Sequence, residues 1–351
     1  MSGREAIIIG GGIIGLSLAL ELQKSGMRAR ILEKSQPGNE ASSAAAGMLA
    51  PWIEEMPVAL QSLALRSFDL YPRFVREVEN LSGMSVDLRD QGTIFLGMQP
   101  RASWPSNVSY LSSSAIARLE PLLAPQTSGY LLKELSIDPR ALSTALLEAA
   151  RRSGVEIVPQ TDVTSISPTA NGISLATSTR TVHSPVVVNC SGAWAGAFKP
   201  MALPIRPVKG QMLCLTTDPR LGLQHVIYTN DVYLVPRSDG RILIGATAEE
   251  AGFDKTVHPQ VMEQFRNAAI KLVPSLLAVR RETSWSGLRP ATPDGLPILS
   301  STSIPGYYVA SGHFRNGILL APVTARAMTK LIQGAPGEID LTPFSATRFL
   351  R

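Results

Sequence analysis

The chain has 351 residues, 44% apolar and 17% charged, with a formal net charge of +5. That length allows two domains and a large core, and the composition excludes a disordered chain. The basic excess is mild and spread out, with no basic stripe interleaved with aromatics, so a nucleic-acid partner is not expected.

The two cysteines, Cys190 and Cys214, form no CxxC pair, and the four histidines are scattered. No metal site is expected, and a reduced setting is the simpler reading. The apolar stretch from Ala6 is broken by three glycines and ended by Glu21. It is too short to cross a membrane and carries no leader signature, which predicts a cytoplasmic protein without a membrane partner.

Ala6–Ile9 is a continuous apolar run with β-branched residues, as a buried parallel strand should be. Ile13–Ser25 has helical periodicity through Ile14, Leu18 and Leu22, and Arg28–Glu33 reads as a second strand. Gln36–Pro51 is rich in small residues and reads as a loop or helix start. Val58–Leu81 predicts a long amphipathic helix interrupted near Pro72, followed by strands between Val86 and Gly97. Ser106–Leu123 predicts a short helix between loops.

Asp138-Pro139 supplies an N-cap and a first-turn proline for a helix that Gly154 ends. Short strands are expected at Val155–Val158, Asp162–Ser167, Ile173–Thr177, Arg180–His183 and Pro185–Cys190. Pro204–Thr216 and Val226–Ala246 alternate as strands do. Pro259–Val273 is helical, Gly287–Pro297 reads as a Pro/Gly-rich loop, Tyr307–Ala310 as a strand and Gly317–Ile332 as a helix. The dinucleotide-type segments lie at both ends and in the middle, with sheet-rich stretches between them. The expected fold is α/β: a Rossmann-like βαβ domain (1–85, 141–204 and 286–351) interleaved with an α+β domain built on a mainly antiparallel sheet (86–140 and 205–285).

The chemistry begins at Gly10-Gly11-Gly12-Ile13-Ile14-Gly15, a GxGxxG between strand and helix. Gly10 permits the tight turn, Gly12 lets backbone approach a pyrophosphate, and Gly15 lets helix and strand pack closely. Glu33, eighteen residues past Gly15, can accept hydrogen bonds from ribose hydroxyls. This unit does not separate FAD from NAD. Two distant segments favour a flavin: the strand ending at Cys190-Ser191-Gly192, and Gly312-His313-Phe314-Arg315-Asn316-Gly317-Ile318, which leads into the last helix. The N-terminus of that helix could face an electron-rich ring edge.

Five further stretches are Ser42–Leu49, Pro207–Gln211, Tyr233–Arg237, Trp285–Pro290 and Gly312–Pro322. With them in this order the chain resembles the D-amino-acid oxidase family of flavoenzymes from residue 1 to about residue 333, and within it the branch that oxidises glycine for thiamine synthesis. The resemblance implies noncovalent FAD, since neither cysteine follows the GLRP segment where a covalent link would be expected. It places the ADP half on Gly10, Gly12, Ile13, Ile14, Gly15, Glu33 and Lys34. Ala41, Ser42, Ala46, Gly47 and Met48 fall under the flavin, and Val163 near the adenine. Ser191, Gly192 and the turn Gly312 to Leu319 (His313, Phe314, Arg315, Asn316, Gly317, Ile318) complete the cofactor set.

The resemblance also implies that Arg289 holds the substrate carboxylate, with Tyr233 and Arg315 on the other substrate positions. Outside that context Arg289 reads as a solvated loop residue, Tyr233 as core and Arg315 as a brace for the helix start. Trp194 reads as packing, Lys209 as a surface or sheet residue, and His313 as a structural or flavin contact. The implied reaction is oxidative deamination of glycine and small primary, secondary or D-amino acids by hydride transfer to flavin N5. The electrons pass to dioxygen, giving a 2-oxo acid, ammonia and hydrogen peroxide. The resemblance further suggests a homotetramer. Two alternatives stand beside it: a dehydrogenase that passes electrons to a quinone, and a redox-silent FAD-binding protein.

Overall fold

The computed structural model describes residues 5–349 except 54, 55, 98 and 200; the outermost ends of the expected domain ranges, at 1–4 and 350–351, lie outside the described residues. Six strands form the first sheet in the order Ile298–Ser301, Tyr307–Ser311, Val186–Asn189, Glu5–Ile9, Arg28–Leu32 and Glu156–Val158. All neighbours are parallel except the first two. The Glu5–Ile9 strand has apolar residues on both faces because both faces are covered. Ala6 and Ile8 pack in the core shared with the helices Ile13–Lys24, Pro139–Arg152 and Gly317–Gln333, whereas Ile7 and Ile9 pack against a three-stranded sheet (Val163–Thr169, Gly172–Thr177, Thr181–Ser184).

The second large sheet has eight strands in the order Glu282–Ala291, Arg206–Thr216, Arg241–Gly245, Tyr233–Pro236, Val226–Tyr228, Thr93–Leu96, Ser128–Leu132 and Ser109–Ser112. It is antiparallel except between Val226–Tyr228 and Thr93–Leu96. Its strands alternate as period-2 geometry demands. Leu213, Leu215 and Leu234 face the helix Pro259–Leu272, while Met212, Cys214 and Val235 face the opposite side together with Tyr233.

Three expectations are corrected. The helix Val58–Ser82 runs through Pro72 without interruption. Pro72 lies on its exposed side, so the carbonyl that loses its amide partner can turn to water. Gly287–Ala291 is not a loop but the end of the ten-residue strand Glu282–Ala291. That strand is at the sheet edge, where a proline costs no ladder bond on the open side. Of the two readings of Lys209, surface or sheet, only the first falls: it lies in the strand Arg206–Thr216 and is 1% exposed. The strands Ser109–Ser112, Ser128–Leu132, Leu135–Ile137 and Ile298–Ser301 went unanticipated.

The two large sheets are built from interleaved stretches of chain. The expected boundary at 285/286 falls inside the strand Glu282–Ala291, and that at 140/141 inside the helix Pro139–Arg152. We propose that the division falls at the ends of those elements instead. The Asp138 carboxylate caps the latter helix, accepting from the amides of Arg140 (2.9 Å) and Ala141 (3.3 Å).

Candidate functional site

One long cavity of about 740 Å³ runs between the two sheets. At one end it is bounded by Glu33, Lys34 and the segment 161–164; it passes Gly10 and Gly12, then the small-residue segment 41–48, and ends among Tyr233, Arg289 and Arg315.

The glycine turn builds the first end. Gly10 has φ +103°, and a Cβ there would lie 2.6 Å from the Cys190 carbonyl oxygen. A Cβ on Gly15 would lie 2.0 Å from the Gly10 carbonyl oxygen, so both positions demand glycine. Glu33 is buried, and its carboxylate accepts from the amides of Gly11 (2.7 Å) and Ser35 (2.9 Å) and from the Ser35 hydroxyl (3.1 Å). These bonds fix a charged acceptor at the cavity wall. The Lys34 ammonium sits 3.1 Å from the ring centroid of Trp194. Burial holds the Lys34 pKa below the usual lysine value. Trp194 therefore does more than pack; it lines the cavity and steers Lys34.

The short helical turn Ala41–Ala44 ties the middle of the cavity to this turn, because the Ser42 hydroxyl accepts from the Ile13 amide at 2.9 Å. Ala46 is held from the other sheet, where the buried Arg237 guanidinium donates to its carbonyl.

The far wall is formed by the turn before the last helix. Phe314 has φ +48°, a left-handed conformation that a phenylalanine adopts only when its surroundings impose it. Gly317 and Ile318, the first residues of the helix, line the cavity, so its partly positive end faces the space. This end is braced from behind. Pro322 has no N–H for the Ile318 carbonyl, and the buried Tyr71 hydroxyl donates to that carbonyl at 2.6 Å. Ser67 donates to the Leu319 carbonyl at 2.6 Å. His313 is buried with Nε2 3.1 Å from the Thr324 hydroxyl, and burial lowers its pKa to about 3. A neutral imidazole lining the cavity fits the expected structural or cofactor contact better than a proton shuttle.

The cavity wall that carries Arg289 and Tyr233 lies on the eight-stranded sheet. Arg289 is on the strand Glu282–Ala291 and its guanidinium folds back across Gly210 of the neighbouring strand, where a Cβ would lie 2.3 Å from Nη1. Arg289 Nη1 donates to the Thr247 carbonyl at 2.9 Å. Tyr233 stacks on Tyr228 at 6.2 Å between centroids, and its hydroxyl donates to the Met212 sulfur at 3.5 Å. Tyr228, Met212 and Gly210 line the cavity but were not foreseen. The pairing of Tyr228 with Tyr233 across a four-residue hairpin turn was the readable signal. Of the residues expected at the site, Gly15, Gly312 and Leu319 stand behind the wall; every other one lines the cavity.

The cavity has a glycine turn that admits a pyrophosphate, a fixed carboxylate for a ribose, and a second helix N-terminus at the far end. These features fit a dinucleotide carrying a flavin. A family model described as FAD dependent oxidoreductase matches residues 5–331. The chain belongs to this family of FAD-dependent oxidoreductases.

Among relatives in the family, the glycine oxidase of Geobacillus kaustophilus is 34% identical over 366 residues, with 99% of this chain and 97% of that one covered. The crystal structure of glycine oxidase from that organism matches with a TM-score of 0.91, covering 98% and 99% of the two chains. The bifunctional protein ThiO/ThiG of Trichormus variabilis is 34% identical over 362 residues; the match covers 99% of this chain, which spans about half of that relative (55%). The hydrogen cyanide synthase subunit HcnC of Pseudomonas aeruginosa is 31% identical over 402 residues, covering 98% of this chain and 96% of that one. Among the described residues, no helix is long and apolar enough to cross a membrane, and no cluster of His, Cys, Asp and Glu could hold a metal ion.

Proposed function

We propose that the protein oxidises glycine and other small primary, secondary or D-amino acids, with water and dioxygen as co-substrates and the 2-oxo acid, ammonia or an amine, and hydrogen peroxide as products. The observation that carries this reading is the Arg289 guanidinium, laid across Gly210 and fixed to the Thr247 carbonyl at the cavity end that also holds Tyr233 and Arg315. A guanidinium held in place at this wall brings a charged, bidentate donor set to a carboxylate, and so can fix the α-carbon. FAD, when bound, supplies the two-electron acceptor for the α-hydrogen and passes the electrons to dioxygen.

The chain's own residues supply binding and orientation. Arg289 and Arg315 neutralise the carboxylate, and the Tyr228–Tyr233 pair walls the side-chain space. Glu33 orients the ribose of the cofactor, Lys34 offsets phosphate charge, and the N-terminus of Gly317–Gln333 favours electron density at the far end. His313 stays neutral and takes no proton. FAD is held noncovalently: burial raises the Cys190 thiol pKa well above the usual range, and Cys214 sits in an apolar cluster.

The likeness to ThiO/ThiG supports supply of the product to thiamine thiazole synthesis, and the likeness to HcnC makes cyanide the product to assay beside glyoxylate. The test is to mix the yellow holoenzyme anaerobically with glycine, sarcosine and D-alanine and then admit air. The proposal expects flavin bleaching followed by rapid recovery with peroxide. No bleaching with any amine overturns it, and bleaching without recovery by air points to a quinone-linked dehydrogenase.

A further inference from the structure

Behind Arg289 lies a charged cluster that the reaction itself does not use. Lys209 is 1% exposed, on the strand next to Arg289, and its ammonium is 3.2 Å from Glu249 and 3.3 Å from Asp254. It also donates to the Thr256 carbonyl at 3.0 Å and lies 3.4 Å from His258 Nε2. Glu249 in turn accepts from the Thr247 hydroxyl at 2.5 Å and from Gln211 Nε2 at 2.8 Å. The Thr247 hydroxyl accepts from the Gln211 amide at 2.9 Å, and the Thr247 carbonyl receives Arg289 Nη1. The chain of contacts therefore runs from the buried ammonium through Glu249 and Thr247 to the guanidinium.

The geometry points to Lys209 as a positioning residue that sets the angle of Arg289, and so the affinity for the substrate carboxylate, through Glu249 and Thr247. A buried ammonium without these carboxylates would be costly, whereas Glu249 and Asp254 keep 29% and 48% of their side-chain surface in water; it is the ammonium that requires the carboxylates and draws them in. Thr247 sits at the end of the cluster, with its backbone carbonyl toward Arg289 and its hydroxyl toward Glu249. The backbones of Lys209 and Glu249 stay joined by two 2.9 Å hydrogen bonds, so loss of the charge leaves the strand pairing in place and removes only the side-chain restraint that Glu249 puts on Thr247; the edge on which the guanidinium rests then loosens. This inference rests on the reading of Arg289 as the carboxylate site.

The test uses FAD-loaded wild type, Lys209→Met, Lys209→Arg, Thr247→Val and Arg289→Ala. Two quantities are read: the Kd of acetate, a carboxylate with no amine to oxidise, from its perturbation of the bound-flavin spectrum; and KM and kcat for glycine. Lys209→Met should raise the acetate Kd and the glycine KM about tenfold each, with kcat within about twofold, and Lys209→Arg should recover most of the loss. Should Lys209→Met fail to fold, Thr247→Val decides, because it cuts the link while the Lys209–Glu249 pair stays intact, and the same rise in Kd and KM is expected. A lowered melting temperature with Kd and KM unchanged, in whichever variant folds, overturns the inference. Unchanged acetate binding in Arg289→Ala overturns the carboxylate reading itself; weakened binding there with normal binding in Lys209→Met and Thr247→Val overturns only the role of Lys209.

Discussion

Tyr71→Phe removes one hydroxyl and nothing else. The ring is fully buried and meets Phe74 edge-on at 5.7 Å, contacts that phenylalanine retains. The hydroxyl donates to the Ile318 carbonyl, whose helical partner would be the amide of residue 322, and that residue is proline. The variant therefore leaves a buried carbonyl with no donor, at a cost of about 1–3 kcal/mol. Burial raises the Tyr71 pKa far above the usual value, so the phenol stays protonated and the cost is the same at pH 6 and pH 9. The assay is equilibrium urea unfolding of the holoenzyme, with the slope checked against wild type so that a midpoint shift reads as stability. Ile318 lines the cavity, so the dissociation constant for FAD should rise in parallel. An unfolding midpoint that does not move would refute the account of how the last helix tolerates Pro322.

Acid should find His313. It is neutral when folded, with its pKa lowered to about 3 by burial, and the unfolded imidazole titrates near 6.5. Above pH 6.5 neither state takes up a proton; below it only the unfolded chain does, so stability falls as pH drops from 6.5 toward 3. The loss by pH 5 is about 2 kcal/mol, and His313→Asn should show a smaller pH 7-to-5 decrement in urea unfolding. Gly210→Ala places a methyl where the Arg289 guanidinium lies, so the glycine KM should rise at least about tenfold while FAD stays bound, as steady-state rates and the flavin spectrum will show. Glu33→Gln exchanges a carboxylate that accepts from Gly11 and Ser35 for an amide with one acceptor; FAD should bind roughly ten- to a hundredfold more weakly by fluorescence titration.

The first βαβ unit was legible because every signal in it is local. The apolar run, the glycine spacing, the helical period and Glu33 all lie between residues 5 and 33. The burial of Lys209 was not, because its carboxylate partners are 40 and 45 residues away and a lysine in a strand reads as solvated unless those carboxylates are known to close on it. The strand Glu282–Ala291 hid behind its Gly and Pro residues, which an edge position tolerates. Ser128–Leu132 and Ile298–Ser301 are short, and tertiary pairing decides such segments. The proposed substrate residues followed from resemblance and not from pattern: Arg289, Tyr233 and Arg315 line one cavity from three separate stretches of chain, and no spacing in the sequence shows that they share it.

The most direct measurement is the glycine concentration that half-saturates anaerobic bleaching of the flavin, in wild type and in Arg289→Ala. Losing a charge-assisted carboxylate contact costs roughly 2–5 kcal/mol, so the account predicts a rise of at least about thirtyfold with the yellow spectrum of bound FAD retained. Equal half-saturation in the two proteins would contradict it.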